Sequence, residues 1–431
     1  MKTISKFCIV FLIITSCIFQ NKTDGLEGRY EGIFKHKNFE TDLGFEVMKD
    51  SLGYNVFFTS LRQNAFRIPC RQVNFSNDTL LFKLQSDFHT YSFSNSIDRH
   101  YSTLQGMLTI ESKEYPYTLK KVNKKDEPTT EEVQFQSNGN TLAGAIWKST
   151  ISNNLGLFMV TSSGTNDRNS SNAEALYFSK RGFTVFHFDK RGTGKSTGSL
   201  EGITIDDLAD DDINAIRYFS KKAGLPLSMI TIMGSSQGGA KVPLICNELP
   251  ELQSGISIST PGCSLLESDL NFMMNRLKNE INKDEFLIAE NVQRAVFRYL
   301  SGELTKTQLE NILNKHKSKQ FYQYLWIPEL NDEIYQELSY TPIPYFEKLK
   351  CPILIIQGLK DIVIPEDSHI NIENALIKAG NTNYAIVTLQ NANHSMTKTE
   401  GTDFPYWSIL HPEYLISIED WIKTVSNKMH K

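Results

Sequence analysis

Between residues 25 and 122, apolar and polar positions alternate in short runs: "GRYEGIFKH", "YNVFFTSL", "TLLFKLQ", "QGMLTIES" and "YPYTLKKV", parted by clusters of Gly, Asn, Asp and Ser. Alternation with period two marks half-buried strands, and strands this short predict a small all-β module, a sandwich or barrel. "NKKDEPTT", residues 123–130, is charged, contains Pro128 and reads as a linker. From residue 131 the period changes. Continuous apolar runs ("LGLFMVTSS", "FTVFHFD", "SMITIMGSS", "GISIST", "CPILIIQG", "NYAIVTLQ") alternate with helical patterns such as "TIDDLADDDINAIRYFSKKAG", and the last helix is "EYLISIEDWIKTVSN". Strands apolar on both faces lie parallel under helices, so residues 131–431 are expected to form a doubly wound, mostly parallel α/β domain. One interval, 263–345, breaks the alternation. It is charged, helical in pattern and carries "FYQYLW". It is too long for a loop and predicts a helical cap subdomain.

The chain has 431 residues, 40% hydrophobic and 22% charged. That is a globular balance with room for two or three domains. The net charge of −4 gives no reason to expect nucleic acid or an anionic membrane surface as partner. At the N-terminus, Lys2 and Lys6 precede the apolar run "FCIVFLIITSCIF". The run is short for a membrane span and suits a signal peptide. Within it, Ile14 to Cys17 resembles the lipobox of bacterial lipoproteins: an aliphatic residue, two small residues, then the cysteine that is lipidated. Residues 1–24 are therefore expected to be a lipoprotein signal and tether. Cys17 would be the lipidation site, and membrane contact would run through that anchor only. The expected location is the cell envelope, with a secreted or periplasmic protein as the alternative. Cys70, Cys246, Cys263 and Cys351 are scattered without a C-x-x-C pair, which signals neither zinc nor a disulfide framework. They are expected as buried small hydrophobes.

The chemistry concentrates in "IMGSSQGGA". Gly234 to Gly238 fits G-x-S-x-G, directly after an apolar strand and directly before a helix. That context is a nucleophile elbow, a strained turn that exposes a serine. The residues two before and two after the serine must be small. Gly234 and Gly238 satisfy this for Ser236, whereas Met233 and Gln237 would flank Ser235. A serine hydroxyl needs a base, and the base an orienting carboxylate, following in the order Ser, acid, His. Asp361 ends "PILIIQGLKD" in a post-strand loop, with Asp367 as the second candidate. His394 lies just beyond a strand in "LQNANHSM". His369 falls within a helical pattern, and His411 and His430 flank or end the last helix. The oxyanion requires two N–H donors. The backbone of Gln237 is one. Ser163 or Gly164, in the loop after "LFMVTSS", is the other, and the pattern does not separate them.

Two motifs invite other readings. "DKRGTGKSTG" ends like a phosphate-binding P-loop, but the leading glycine of G-x-x-x-x-G-K-[ST] would fall on Asp189, whose charge repels phosphate. "DDLADDD", Asp206 to Asp212, reads as a solvated helix start rather than a cation site.

"SSGTNDR", "FHFDKRGTGKSTG", "IMGSSQGGA", "CPILIIQGLKD" and "NANHSM" stand in order and at a spacing that resembles the α/β-hydrolases of the bacterial esterase and serine-aminopeptidase-like group. The group often writes the first motif G-S-G-x-x-D-R; here Ser162 replaces the leading glycine. The resemblance implies a Ser236–His394–Asp361 triad, with Asp189 and Arg191 tying loops together beside the site. It also implies an acyl-enzyme mechanism without metal or organic cofactor and admits both ester and peptide cleavage. A small acyl-ester substrate is expected because no motif offers an anchor for an α-amine or a peptide backbone, and the aromatic cap would suit an acyl group. The alternatives are a serine peptidase of the aminopeptidase type, anchored by an acidic cap residue such as Glu290 or Glu333, and a noncatalytic envelope-binding protein. The cap aromatics Phe321, Tyr322, Tyr324 and Trp326 are expected either to line an acyl pocket or to pack the inserted helices. The N-terminal β segment resembles, more weakly, domains that precede such hydrolases in bacterial lipoproteins.

Overall fold

The computed structural model describes residues 25–86, 89–331, 334–399 and 408–429. The expected signal segment with Cys17 lies outside them, as do Glu333 and His430.

The first strands are β1 (Gly28–His36), β2 (Phe39–Asp50), β3 (Gly53–Ser60), β4 (Ala65–Pro69), β5 (Arg71–Ser76), β6 (Thr79–Gln85), β7 (Thr90–Ile97), β8 (Thr103–Ile110) and β9 (Lys113–Lys121). They form one nine-stranded sheet in the order β4-β3-β2-β1-β9-β8-β7-β6-β5. Every pairing is antiparallel. The two outer strands, β4 and β5, are consecutive in the chain; inward side chains of the other seven strands share one core, and Ala65 of β4 with Val73 and Phe75 of β5 pack against it. The sheet therefore rolls around a single interior, closer to the expected barrel than to a sandwich. Phe45 sits at its centre, edge-on to Phe82 at 4.7 Å and Phe93 at 5.0 Å.

The second sheet holds β10 (Thr129–Ser137), β11 (Asn140–Lys148), β12 (Gly156–Met159), β13 (Thr184–Phe188), β14 (Ile230–Ser235), β15 (Ser254–Ile258), β16 (Ile353–Gly358) and β17 (Tyr384–Leu389). Its order is β10-β11-β13-β12-β14-β15-β16-β17. β10 and β11 run antiparallel; β13 onward is parallel. The helices are α1 (Asn172–Ser179), α2 (Ile205–Ala223), α3 (Gln237–Glu248), α4 (Leu265–Leu277), α5 (Lys283–Leu300), α6 (Lys306–His316), α7 (Ile343–Phe346), α8 (Ser368–Lys378) and α9 (Pro412–Met429). Side chains of α2, α3 and α8 share one core with the strands. Those of α1 and α9 share another. Two separate cores on one sheet are what helices on both faces require.

Helices α4, α5 and α6 leave the sheet between β15 and β16 and pack around a core of their own that includes Leu270, Val296, Leu309 and Phe321. This insertion leans on the loop after β16, where Asn271 donates to the Val363 carbonyl (2.9 Å) and Asn275 to that of Ile362 (2.9 Å). The β module docks on the α1 side. Phe66 packs edge-on to Trp147 at 5.6 Å, Lys180 pairs with Glu31 at 2.6 Å, and the Leu410 N–H donates to the Arg62 carbonyl at 2.6 Å.

Candidate active site

Ser236 stands between β14 and α3 with φ 56° and ψ −122°. A serine pays steric strain in that left-handed region, and the surroundings hold it there. Its N–H donates to the Ile258 carbonyl (2.8 Å), and its own carbonyl accepts from Ala240 (3.0 Å). The glycines make the turn possible. A Cβ on Gly234 would lie 2.4 Å from the Gly238 carbonyl oxygen, and one on Gly238 2.9 Å from that of Thr161. Pro243 inside α3 lacks the N–H that would bond Gly239 four residues back. The Ser257 hydroxyl takes that carbonyl instead, at 2.9 Å. Gln237 opens α3, so its N–H has no intrahelical acceptor.

His394 lies in the loop beyond β17, as expected, and its Nδ1 is 2.8 Å from Asp361 Oδ2. The other carboxylate oxygen of Asp361 accepts the N–H groups of Val363 (2.8 Å) and Ile364 (3.1 Å), so the side chain, 1% exposed, is fully oriented. Asp367, the second candidate acid, precedes α8 instead. The acid and histidine loops meet through their backbones: Lys360 N–H donates to the Ala392 carbonyl at 2.9 Å. Gly358 allows this approach, since a Cβ there would stand 2.4 Å from the same oxygen. Ser259 Oγ bonds the His394 carbonyl at 2.8 Å and fixes the loop from β15.

Ser236 and His394 border one cavity of about 440 Å³, with no hydrogen bond between the two side chains. Ser163 borders it too, whereas Gly164 does not. The loop carrying Ser163 is pinned on several sides. Thr161 N–H donates to Asp212 (3.1 Å), Ser162 Oγ to the Ser235 carbonyl (2.8 Å), and Lys190 Nζ to the Ser162 carbonyl (2.6 Å). None of the described residues of 263–345 borders the cavity. Phe321, Tyr322 and Tyr324 pack into the core of the insertion and Trp326 lies against Phe297, so these aromatics pack the inserted helices and do not line the cavity at Ser236. Glu290 is bound to Arg294 at 3.0 Å and is likewise away from the cavity.

Among known protein families, the model described as alpha/beta hydrolase fold matches residues 162–396. The chain belongs to this family. An uncharacterized 31.7 kDa protein of Escherichia coli is 24% identical to the hydrolase over 197 residues, 44% of this chain, and the match spans 66% of the relative's length. A bifunctional esterase/perhydrolase of Acinetobacter calcoaceticus is 22% identical over 242 residues, 53% of this chain and 81% of the relative. Of solved structures, an esterase of Pyrococcus furiosus aligns with a TM-score of 0.46 at 14% identity, covering 69% of this chain and 91% of that chain.

The hydrolase cavity contains polar groups that sequence patterns did not single out. His187, 2% exposed, accepts from Trp147 Nε1 at Nε2 (2.9 Å) and faces Ser171 Oγ through Nδ1 (2.7 Å). Burial, with Arg168 nearby, pushes it down to about 3, so it stays neutral. Glu174 takes a hydrogen bond from Tyr414 (2.8 Å), and burial raises its carboxyl above the usual range. Lys190 is pushed down to about 8 by burial and then by Lys241. These groups sit on separate elements, and no spacing rule joins them. "DKRGTGKSTG" folds around the Asp189 carboxylate, which receives Lys195 N–H (2.9 Å), Arg168 N–H (2.9 Å) and the Arg168 guanidinium. Gly194 is where a Cβ would run into that carboxylate, at 2.4 Å. The ring a P-loop closes around phosphate is closed here around a side chain, and Arg191 ties the same loop to Asp211 at 2.6 Å.

"DDLADDD" departs from the solvated helix start expected of it. Asp206 and Asp207 do begin α2, with Thr204 and Asp207 forming a capping box. Asp211 and Asp212, one turn on, are 1% and 0% exposed and pair with Arg191 and Lys241. The helix turns those two inward because the buried Leu208, Ala215 and Ile216, three or four residues away, lie on its core-facing side. The four cysteines of the described residues carry free thiols: Cys246 and Cys351 are buried, while burial pushes the half-buried Cys70 and Cys263 up to about 12.

Proposed function

We propose that this alpha/beta hydrolase is a serine esterase working through an acyl-enzyme, with Ser236 as nucleophile, His394 as base and Asp361 as its orienting acid. One observation carries the reading: Ser236, held at positive φ on the strand-to-helix turn, shares a cavity with His394, whose Nδ1 is hydrogen-bonded to Asp361. The Asp361 carboxylate keeps the proton of the neutral imidazole on Nδ1, leaving Nε2 free to accept. In the reaction Ser236 Oγ bonds to the ester carbonyl carbon while its proton passes to Nε2. The carbonyl oxygen takes up the charge before the N–H groups of Gln237 and Ser163. Collapse expels the alcohol, protonated from Nε2, and water repeats the cycle to release the acid. The gap between Ser236 and His394 closes as substrate binds, as catalytic hydrogen bonds commonly do.

An ester is favoured over a peptide by the cavity's own charges. Lys190 borders it with no carboxylate in ion-pair distance among the described residues, which suits an oxyanion; the carboxylates that border it are Asp167, bonded to Asn169, and Glu174, bonded to Tyr414. The Acinetobacter relative named an esterase/perhydrolase agrees in class. Serine, threonine, asparagine and charged side chains dominate the lining, so short polar esters fit better than long acyl chains. The test is fluorophosphonate labelling. Ser236→Ala abolishes it and Ser235→Ala keeps most of it. Hydrolysis of p-nitrophenyl acetate is Ser236-dependent and much faster than that of any aminoacyl p-nitroanilide. Anilide turnover matching that of the ester hands the site to the peptidase alternative.

A further inference from the structure

Lys190 is 5% exposed, yet it has no carboxylate within ion-pair distance among the described residues. Ordering a lysine side chain and burying its charge are both unfavourable, so an unpaired ammonium at a cavity wall calls for a role. Its hydrogen bond goes to the carbonyl of Ser162, 2.6 Å away. That carbonyl belongs to the same peptide plane as the N–H of Ser163. The peptide is trans, so the two point in opposite directions. Fixing the carbonyl on Lys190 fixes the N–H on the far side of the plane.

Building on the serine esterase reading, we propose that Lys190 is a positioning residue of the oxyanion site: it locks the Ser162–Ser163 peptide so that the Ser163 N–H meets the developing oxyanion. The neighbouring bonds leave the plane little alternative. Ser162 Oγ is tied to Ser235, the residue before the nucleophile, and accepts from Gly238 N–H at 3.4 Å, so this loop lies against the start of α3 where the Gln237 N–H is found. Thr161, one residue earlier, is held by Asp212. Lys190 is the remaining anchor. Its charge also adds to the potential inside the cavity, where water screens least. The titratable and charged groups about it are Asp212 and Lys241, on α2 and α3, with Asp167, Arg168, Glu174, His187 and His394 on the cavity's other walls.

The experiment is steady-state hydrolysis of p-nitrophenyl acetate by the full protein between pH 7 and 10. Removing an oxyanion donor outright costs about 10²–10³ in kcat, and loosening one is expected to cost roughly tenfold or more. Lys190→Met therefore lowers kcat by at least about tenfold with KM nearly unchanged, since the N–H acts on the transition state. Lys190→Arg retains most of kcat, because a guanidinium donates and stays charged. The pH profile separates positioning from mere packing. With Lys190 losing its charge at about 8, wild-type kcat falls on the alkaline side, and Lys190→Arg lacks that fall. An unchanged kcat in Lys190→Met, a loss confined to KM, or an identical alkaline fall in Lys190→Arg overturns the proposal. If wild-type hydrolysis is itself independent of Ser236, it is the esterase reading that fails.

Discussion

His187 provides an acid sensor whose effect on stability can be worked out from its contacts. Trp147 Nε1–H is a donor only, so His187 Nε2 must accept and the ring's proton sits on Nδ1, facing Ser171. A second proton would have to go on Nε2, against the indole N–H, in a buried place. Burial accordingly holds the folded ring down at about 3, against its ordinary 6.5. The sign follows. The unfolded chain takes up a proton as pH falls through 6.5, and the folded chain does not until about 3. Stability is thus fully present above 6.5 and is lost between 6.5 and 3 at about 1.4 kcal/mol per pH unit. By pH 4.5 the loss amounts to about 3 kcal/mol. His187→Gln keeps an acceptor for Trp147 and cannot titrate. At pH 7.5 it is less stable than wild type by about 1 kcal/mol, having lost the Ser171 contact. At pH 4.5 the order is reversed. Urea unfolding of both proteins across this range, read by tryptophan fluorescence, measures the difference, in which other titrating groups cancel. A difference that stays constant from pH 7.5 to 4.5 refutes the assignment of a buried neutral imidazole.

Other perturbations test other parts of the framework. Asp212→Asn leaves the Lys241 ammonium buried without a counter-charge, which costs about 3–5 kcal/mol by urea midpoint, while Asp212→Asn combined with Lys241→Met recovers most of the loss. Gly358→Ala drives the acid and histidine loops apart at the Ala392 carbonyl; fluorophosphonate labelling of Ser236 should slow by about a hundredfold, as misplacement by an ångström can. The lipobox reading of Ile14 to Cys17 predicts that Cys17→Ser moves the protein from the membrane fraction to the soluble fraction of the envelope, and a wild type already soluble there counts against it.

What was legible in the sequence follows from the range of the interactions. The nucleophile turn is local: strand, glycine, serine, glycine and helix are contiguous, so sterics alone select Ser236 over Ser235. Asp361 and His394 are readable because each lies just past an apolar strand, the buried β16 and the half-buried β17, and adjacent parallel strands bring their ends together. The strands β10 and β11 were not singled out, although "EEVQFQS" alternates, because the charged linker runs straight into them. The fate of "FYQYLW" depends on tertiary packing. A run of aromatics serves an insertion's core as well as a pocket wall, and its composition is the same in both cases. Likewise Asp206 and Asp212 are alike in sequence, but only the turn of the helix decides which is solvated and which meets a lysine.

The β module illustrates the same limit and changes how the site is understood. Read as a sequence it is a separate domain joined by a linker. In the fold its β3–β4 turn reaches the cavity, where Asn64 forms part of the same wall lining as Ser236. That turn is built firmly. Asn64 takes the left-handed conformation at φ 52°, which asparagine tolerates well, and its N–H closes on the Leu61 carbonyl at 3.1 Å. The Asp42 carboxylate accepts the N–H groups of Leu61 and Arg62, at 2.5 and 2.9 Å. From there, contact passes inward: Phe66 lies on Trp147, Trp147 donates to His187, and His187 borders the cavity. A module that only carried the enzyme would need none of this. Its firmly held turn and its aromatic contact with the hydrolase sheet make it part of the cavity wall, so under the esterase reading the groups a substrate meets come from both halves of the chain.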